Sequence, residues 1–187
     1  MLDLRGIRML ERFYPDNEAP SAYEINYKEL YERGYKGIIF DIDNTLVPHG
    51  APADGGAVGL FAGLQMLGFR TVLLSNNKES RVQPFADRVG SKYIYRAGKP
   101  GQAGYEKAME LMGTSPESTL FVGDQLFTDV WGAKKAGIVT YLVKPIYPKE
   151  EIQIVLKRRL ERIVLFFYHR KPHREPMPGA LKNDGSG

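Results

Sequence analysis

Short, almost wholly apolar runs recur along the chain, each ending in a polar residue or a turn. They are Gly37-Ile38-Ile39-Phe40 ahead of Asp41, Arg70-Thr71-Val72-Leu73-Leu74 ahead of Ser75, Tyr93-Ile94-Tyr95, Thr119-Leu120-Phe121-Val122 ahead of Gly123-Asp124, and residues 138–143. A run without apolar–polar alternation is the pattern of a strand buried on both faces. The stretches between them carry helical signals. Residues 27–33 follow a capping Asn26 and stop at Gly34, and 54–67 stop at Gly68. A short helix has Pro84 in its first turn and ends near Val89-Gly90. Residues 102–112 stop at Gly113, and 129–136 stop at Gly137. This alternation predicts a Rossmann-like three-layer α/β sandwich with a mainly parallel five-stranded sheet.

The same pattern divides the chain. Residues 1–35 read as a peripheral segment and short helix, with Pro15-Asp16-Asn17 and Ala19-Pro20-Ser21 as turn signals. Residues 36–143 are the core, 144–175 a basic C-terminal helix, and 176–187 a disordered tail. A length of 187 residues, 43% of them hydrophobic, is enough for one real core. The lack of cysteine excludes disulfides, thiolate nucleophiles and cysteine metal sites, and fits a reducing compartment. Residues 1–5 lack the apolar core of a signal peptide. No run approaches the roughly 18 apolar residues of a membrane span, so a cytoplasmic location is expected. Net charge is +4, yet from Lys144 onward there are 10 Lys and Arg against 5 Asp and Glu. That segment is +5 and the remainder −1, which argues against a general nucleic-acid surface.

The candidate chemistry lies at the strand exits. In a parallel sheet, ligands bind beyond the carboxyl ends of the strands, and right-handed crossovers bring those ends to one edge. Asp41, Ser75 and Asp124 fall there, and Lys99 follows the third strand by a few residues. Asp41 and Asp43 are two carboxylates at the exit of a buried strand. Repulsion and burial both disfavour their ionised forms, and a cation or a shared proton would offset both costs.

These residues resemble the four motifs of the haloacid dehalogenase (HAD) superfamily of phosphotransferases. Asp41-Ile42-Asp43-Asn44-Thr45 resembles its first motif, Ser75 with Asn76 its second, Lys99 before Pro100 its third, and Gly123-Asp124 through Asp129 its fourth. All four occur in order. Asp-Asn-Thr-Leu, Ser-Asn-Asn, Tyr-Arg-Ala-Gly-Lys-Pro and Val-Gly-Asp-Gln-Leu-Phe-Thr-Asp are similar to the class IIIA phosphatases of the YqeG type, a branch that includes phosphatidylglycerophosphate phosphatases.

The resemblance implies a HAD-like fold and a Mg²⁺-dependent phosphomonoester phosphatase. Asp41 would be the nucleophile, forming an aspartyl phosphate, and Asp43 the acid/base. Thr45, Ser75, Asn76 and Lys99 would serve the substrate phosphate. Asp41, Asp124, Asp129 and the backbone carbonyl of Asp43 would hold the metal. Asp41 and Ser75 are 34 positions apart, and Ser75 and Lys99 are 24 apart, too few for a cap domain in either interval. An open site suits a large substrate. By resemblance this is phosphatidylglycerophosphate, with soluble sugar phosphates, nucleotides and phosphoproteins as alternatives.

Blander readings stand beside these. Asp129 also suits a helix N-terminus, Ser75 a cap or turn hydroxyl, and Lys99 a solvated loop. Asn44 and Asn77 read as loop supports, and Phe127 and Trp131 as packing. His49, His169 and His173 form no ligand cluster and read as non-catalytic. In the C-terminal segment, Ile152, Leu156, Leu160, Ile163 and Phe167 share one helical stripe, with Lys157, Arg158, Arg159 and Arg162 mostly off it. Three uses fit this pattern: docking on the core, contact with an anionic membrane surface as a peripheral protein, or binding a partner without catalysis.

Overall fold

The computed structural model describes residues 10–147 and 152–170, with only the backbone of 152–159. The tail 176–187, His173 and the side chains of Ile152, Leu156, Lys157, Arg158 and Arg159 lie outside the described residues. Six parallel strands form one sheet: β1 (Asn17–Ala19), β2 (Gly37–Phe40), β3 (Arg70–Leu74), β4 (Lys92–Ile94), β5 (Thr119–Gly123) and β6 (Val139–Val143). Their order across the sheet is β1-β6-β5-β2-β3-β4. The helices are α1 (Tyr27–Glu32), α2 (Gly55–Leu67), α3 (Glu79–Val89), α4 (Ala103–Met112), α5 (Trp131–Lys135) and α6 (Ile152–His169).

The apolar runs are explained by burial on both faces. Ile38 and Phe40 of β2 pack with Phe61, Leu64, Val82 and Phe85 from α2 and α3. Ile39, between them, packs on the other face with Tyr105, Ala108 and Met109 from α4. Local signals set the helix ends. The Asp54 carboxylate accepts the Ala57 N–H at 2.8 Å, and Gly68 ends α2 in the left-handed conformation at φ 95°.

Sheet order reverses between β2 and β5, so the chain winds outward from there in both directions. This is a topological switch point, where open α/β sheets bind ligands. The Asp41 N–H donates to the Val122 carbonyl at 2.9 Å, continuing the β2–β5 ladder into the first loop. Residues 42–74 contain a loop, α2 and β3, and residues 76–98 contain α3 and β4. Neither interval holds a cap.

Three expectations are corrected. The sheet has six strands, because residues 17–19 of the supposed peripheral segment pair with β6. Polar contacts, invisible to hydropathy, place that edge: the Asp16 carboxylate accepts both the N–H and the hydroxyl of Thr140 at 2.9 Å and meets Lys134 at 3.0 Å. Second, α3 begins at Glu79, so Pro84 lies in its interior and not in its first turn. Pro84 removes one helical hydrogen bond, and burial of Val82, Phe85, Ala86 and Val89 outweighs that loss. Third, α6 docks on the core, but Leu160 and Ile163 of its apolar stripe face outward. Leu160 and Ile163 are each 51% exposed and Phe167 is half-buried. The helix packs through Glu161 and Val164, joined by Leu165, Phe167 and Tyr168, against Tyr14, Leu126, Val130 and Leu142.

Candidate active site

Three loops at the carboxyl edge converge on one buried cluster. Lys99 Nζ lies 2.6 Å from Asp41 Oδ1 and 2.7 Å from Asp129 Oδ1, and all three side chains are buried. Asp41 follows β2, Lys99 follows β4, and Asp129 sits in a π-helical turn, Leu126–Val130, that leads from β5 into α5. The turn crosses directly over Gly123. A Cβ there would come within 2.7 Å of Asp129 Oδ2 and of Phe121, so only glycine admits Asp129 to the site. Asp129 is held further by the Gln125 N–H, which donates to Oδ2 at 3.2 Å. The Tyr105 hydroxyl donates to the backbone carbonyl of Asp129 at 3.1 Å.

Electrostatics follows from burial. Desolvation pushes the Asp41 carboxyl up to about 7, against the opposing pull of Lys99 and with a further push from Asp129. Burial also works against the charge of Lys99, but Asp129 and Asp41 outweigh it and hold the ammonium above its usual range. The cluster therefore keeps Lys99 charged while making Asp41 costly to ionise without further positive charge.

The donor set fits a hard divalent cation. Carboxylate oxygens of Asp41, Asp124 and Asp129 lie within 4.8 Å of one another, and all three residues are buried. Hard oxygen donors of this kind suit Mg²⁺. Three carboxylates around one ammonium leave an excess of negative charge that such an ion would neutralise. The Asp43 carboxylate stands outside the group, which leaves its backbone carbonyl as the ligand expected of it.

The remaining expected residues take specific positions. Asn76 clamps the Lys99 loop: its Nδ2 donates to the Lys99 carbonyl at 3.0 Å and its Oδ1 accepts the Lys99 N–H at 2.8 Å. One Nδ2 hydrogen and Oδ1 are thus engaged with the Lys99 backbone. Ser75 is buried at the end of β3, and its hydroxyl accepts the Asn77 N–H at 3.2 Å. The Thr45 hydroxyl donates to Asp124 Oδ1 at 3.4 Å. Asn44 adopts a left-handed φ of 62°, in keeping with loop support. Phe127 and Trp131 both pack edge-on against Phe13, with centroids 5.0 and 5.2 Å away. His49 is exposed, and His169 Nε2 meets Glu18 Oε2 of β1 at 2.8 Å.

Asp43 has partners that the sequence did not suggest. Its Oδ1 accepts the Gly50 N–H and an Arg81 Nη2–H, each at 2.8 Å, and its Oδ2 accepts Asn77 Nδ2–H at 2.7 Å. Asn77 had been read as a loop support, and Arg81 carried no signal beyond following Ser75 by six positions. Glu161 was missed too. Its buried carboxylate accepts the Leu126 N–H at 2.9 Å, tying α6 to the turn that carries Asp129.

The chain is similar in sequence to known proteins. Residues 51–137 match the sequence profile of the haloacid dehalogenase-like hydrolases. A Bacillus subtilis protein named "Probable phosphatase YqeG" is 35% identical over 167 residues, covering 88% of this chain and 97% of that protein. The chloroplastic phosphatidylglycerophosphate phosphatase 1 of Chlamydomonas reinhardtii is 28% identical over 160 residues, 79% of this chain, which spans 59% of that longer protein. Among solved structures, the cobalt-bound deoxy-D-mannose-octulosonate 8-phosphate phosphatase of Haemophilus influenzae is 15% identical with a TM-score of 0.46, covering 73% of this chain and 91% of its own.

Proposed function

This chain belongs to the haloacid dehalogenase-like hydrolases and is a phosphatase, and we propose that it hydrolyses phosphomonoesters through an aspartyl phosphate on Asp41. The observation that carries the mechanism is the buried contact of Lys99 with Asp41 and Asp129 beside Asp124 at the switch point. Asp41 Oδ attacks phosphorus, and the ester oxygen leaves as an alcohol with the proton of Asp43. Water then gives a proton to Asp43 as its oxygen bonds to phosphorus and the Asp41–phosphorus bond breaks. Lys99 and Ser75 hold the phosphoryl oxygens. Asp41, Asp124, Asp129 and the Asp43 carbonyl would hold Mg²⁺, which supplies charge neutralisation for the transferred group.

For the substrate, we propose a membrane phosphomonoester of the phosphatidylglycerophosphate class, met at the membrane surface. Three observations support this. The algal relative bears that activity in its name. The intervals after Asp41 and Ser75 leave no room for a cap. Helix α6 turns Leu160, Ile163 and Phe166 outward beside exposed Arg162 and Arg170, as an interfacial helix does. No helix among the described residues is long and apolar enough to cross a membrane. The test is hydrolysis with and without Mg²⁺ of phosphatidylglycerophosphate in mixed micelles and of small soluble phosphates, by wild type and Asp41→Asn. Expected are Mg²⁺-dependent turnover that favours the lipid and loss of at least about 10⁴-fold in the variant. An active Asp41→Asn protein sinks the mechanism, and preference for soluble phosphates sinks the lipid.

A further inference from the structure

We propose that Arg81 is a positioning residue for the leaving-group step, fixing the carboxylate of Asp43 so that it faces the departing oxygen. This rests on the reading of Asp41 and Asp43 as nucleophile and acid/base. Asp43 sits in the loop after β2, where a side chain of two rotatable bonds has several orientations to choose from. In the structure three donors hold it in one. The Arg81 guanidinium reaches Asp43 at 2.8 Å from the first turn of α3, with both side chains largely buried. Asn77 and the Gly50 N–H complete a three-donor clamp around the two oxygens. Arg81 is held in turn: its backbone N–H donates to the Lys78 carbonyl at 3.0 Å, and its guanidinium lies 5.6 Å from the ring centroid of the buried Phe85. Asp41 is oriented by a different cation, Lys99. The two carboxylates, two positions apart, are thus steered by separate cations from separate loops.

The arrangement carries a cost. Arg81 Nε is buried and, among the described residues, has no hydrogen-bond partner. An unsatisfied buried donor lowers stability, and devices retained at such a cost are expected where orientation serves chemistry. The step to be oriented is specific. As the phosphorus–oxygen ester bond breaks, its electron pair goes to the ester oxygen, and the proton on Asp43 follows. An alkyl ester needs that proton, because an alkoxide is a poor leaving group. A dinitrophenyl ester does not, because its phenolate leaves unaided.

The inference therefore predicts a leaving-group signature. Wild type, Arg81→Ala, Arg81→Lys, Asn77→Ala and Asp43→Asn are assayed with an alkyl phosphate and with 2,4-dinitrophenyl phosphate, with Mg²⁺ present. Arg81→Ala is expected to lower kcat for the alkyl ester on the order of 10- to 100-fold, with KM within about twofold. For the dinitrophenyl ester the loss stays below about threefold. Arg81→Lys recovers most of the alkyl-ester rate by restoring a cation, and Asn77→Ala shows the same selectivity more weakly, which keeps the test in hand if Arg81→Ala folds poorly. Equal losses on both esters in the Arg81 and Asn77 variants, with Asp43→Asn still selective, overturn the positioning role alone. Equal losses in Asp43→Asn as well overturn the acid/base reading beneath it.

Discussion

The carboxyl edge of the sheet and the C-terminal helix both bury charge, by different means. At the edge, Asp41 and Asp129 are buried against Lys99, so each carboxylate has a cation in contact. Under α6, the buried Glu161 accepts a backbone amide from Leu126, a residue 35 positions away. The first arrangement stores electrostatic energy that another cation can tap, and the second anchors one element to another. The outward faces differ as well. The edge opens on polar loops, whereas α6 presents Leu160, Ile163 and Phe166 outward, each about half exposed.

The strongest way to break this comparison is to remove the shared cation. Lys99→Met leaves two buried carboxylates without their ammonium, and such a loss costs about 3–5 kcal/mol. Urea unfolding without divalent ions should show it, and saturating Mg²⁺ should recover a large part by binding only the folded state. A variant as stable as wild type without metal would mean that the edge stores no such energy.

A pH titration sharpens the same point. The folded-state pKa of Asp41 is raised, from 3.8 to about 7. The folded protein therefore binds this proton more tightly than the unfolded chain. The stability it contributes is fully present below about pH 4 and is lost as pH rises through about 7. Metal-free wild type should fall relative to Asp41→Asn across that window, by at most about 4 kcal/mol. Added Mg²⁺ should raise the wild-type Tm more at pH 8 than at pH 4, where the Asp41 carboxyl holds its proton. Parallel stability curves for the two proteins would remove the electrostatic distinction.

Smaller effects belong to the helix. Glu161→Ala leaves the Leu126 N–H without this acceptor, at about 1–3 kcal/mol, read by thermal unfolding. Replacing Leu160, Ile163 and Phe166 together by serine should change stability by no more than about 0.5 kcal/mol per site while lowering binding to anionic vesicles in a flotation assay. Strong destabilisation by the triple change would place those side chains inside a packed interface.

The two regions also differ in how far the chain announces them. The edge is written in residues adjacent to buried strands, so an apolar run followed by Asp41, Ser75 or Asp124 marks both strand and site. Spacing could not reveal orientation. The clamp on Asp43 draws on Gly50, Asn77 and Arg81, which share no local pattern, and Asn76 turns out to hold the Lys99 loop because its two amide groups match that backbone. Strand β1 escaped notice because Asn17-Glu18-Ala19 has no apolar run, its place set by Asp16 and Thr140 across 124 positions. Helix α6 was legible as a helix, but not by its docking face. The buried side includes a glutamate, which hydropathy assigns to solvent, and the exposed side carries the leucine and isoleucine it assigns to a core.

Gly123 acts through the side chain it lacks, and that decides how the gene can vary. Any added carbon at this position would occupy the space of Asp129 and Phe121. A smaller residue in place of Phe121 would still leave the clash with Asp129 Oδ2 and Cβ. A lineage that loses this glycine would displace the Asp129 carboxylate from beside Lys99 in a single step.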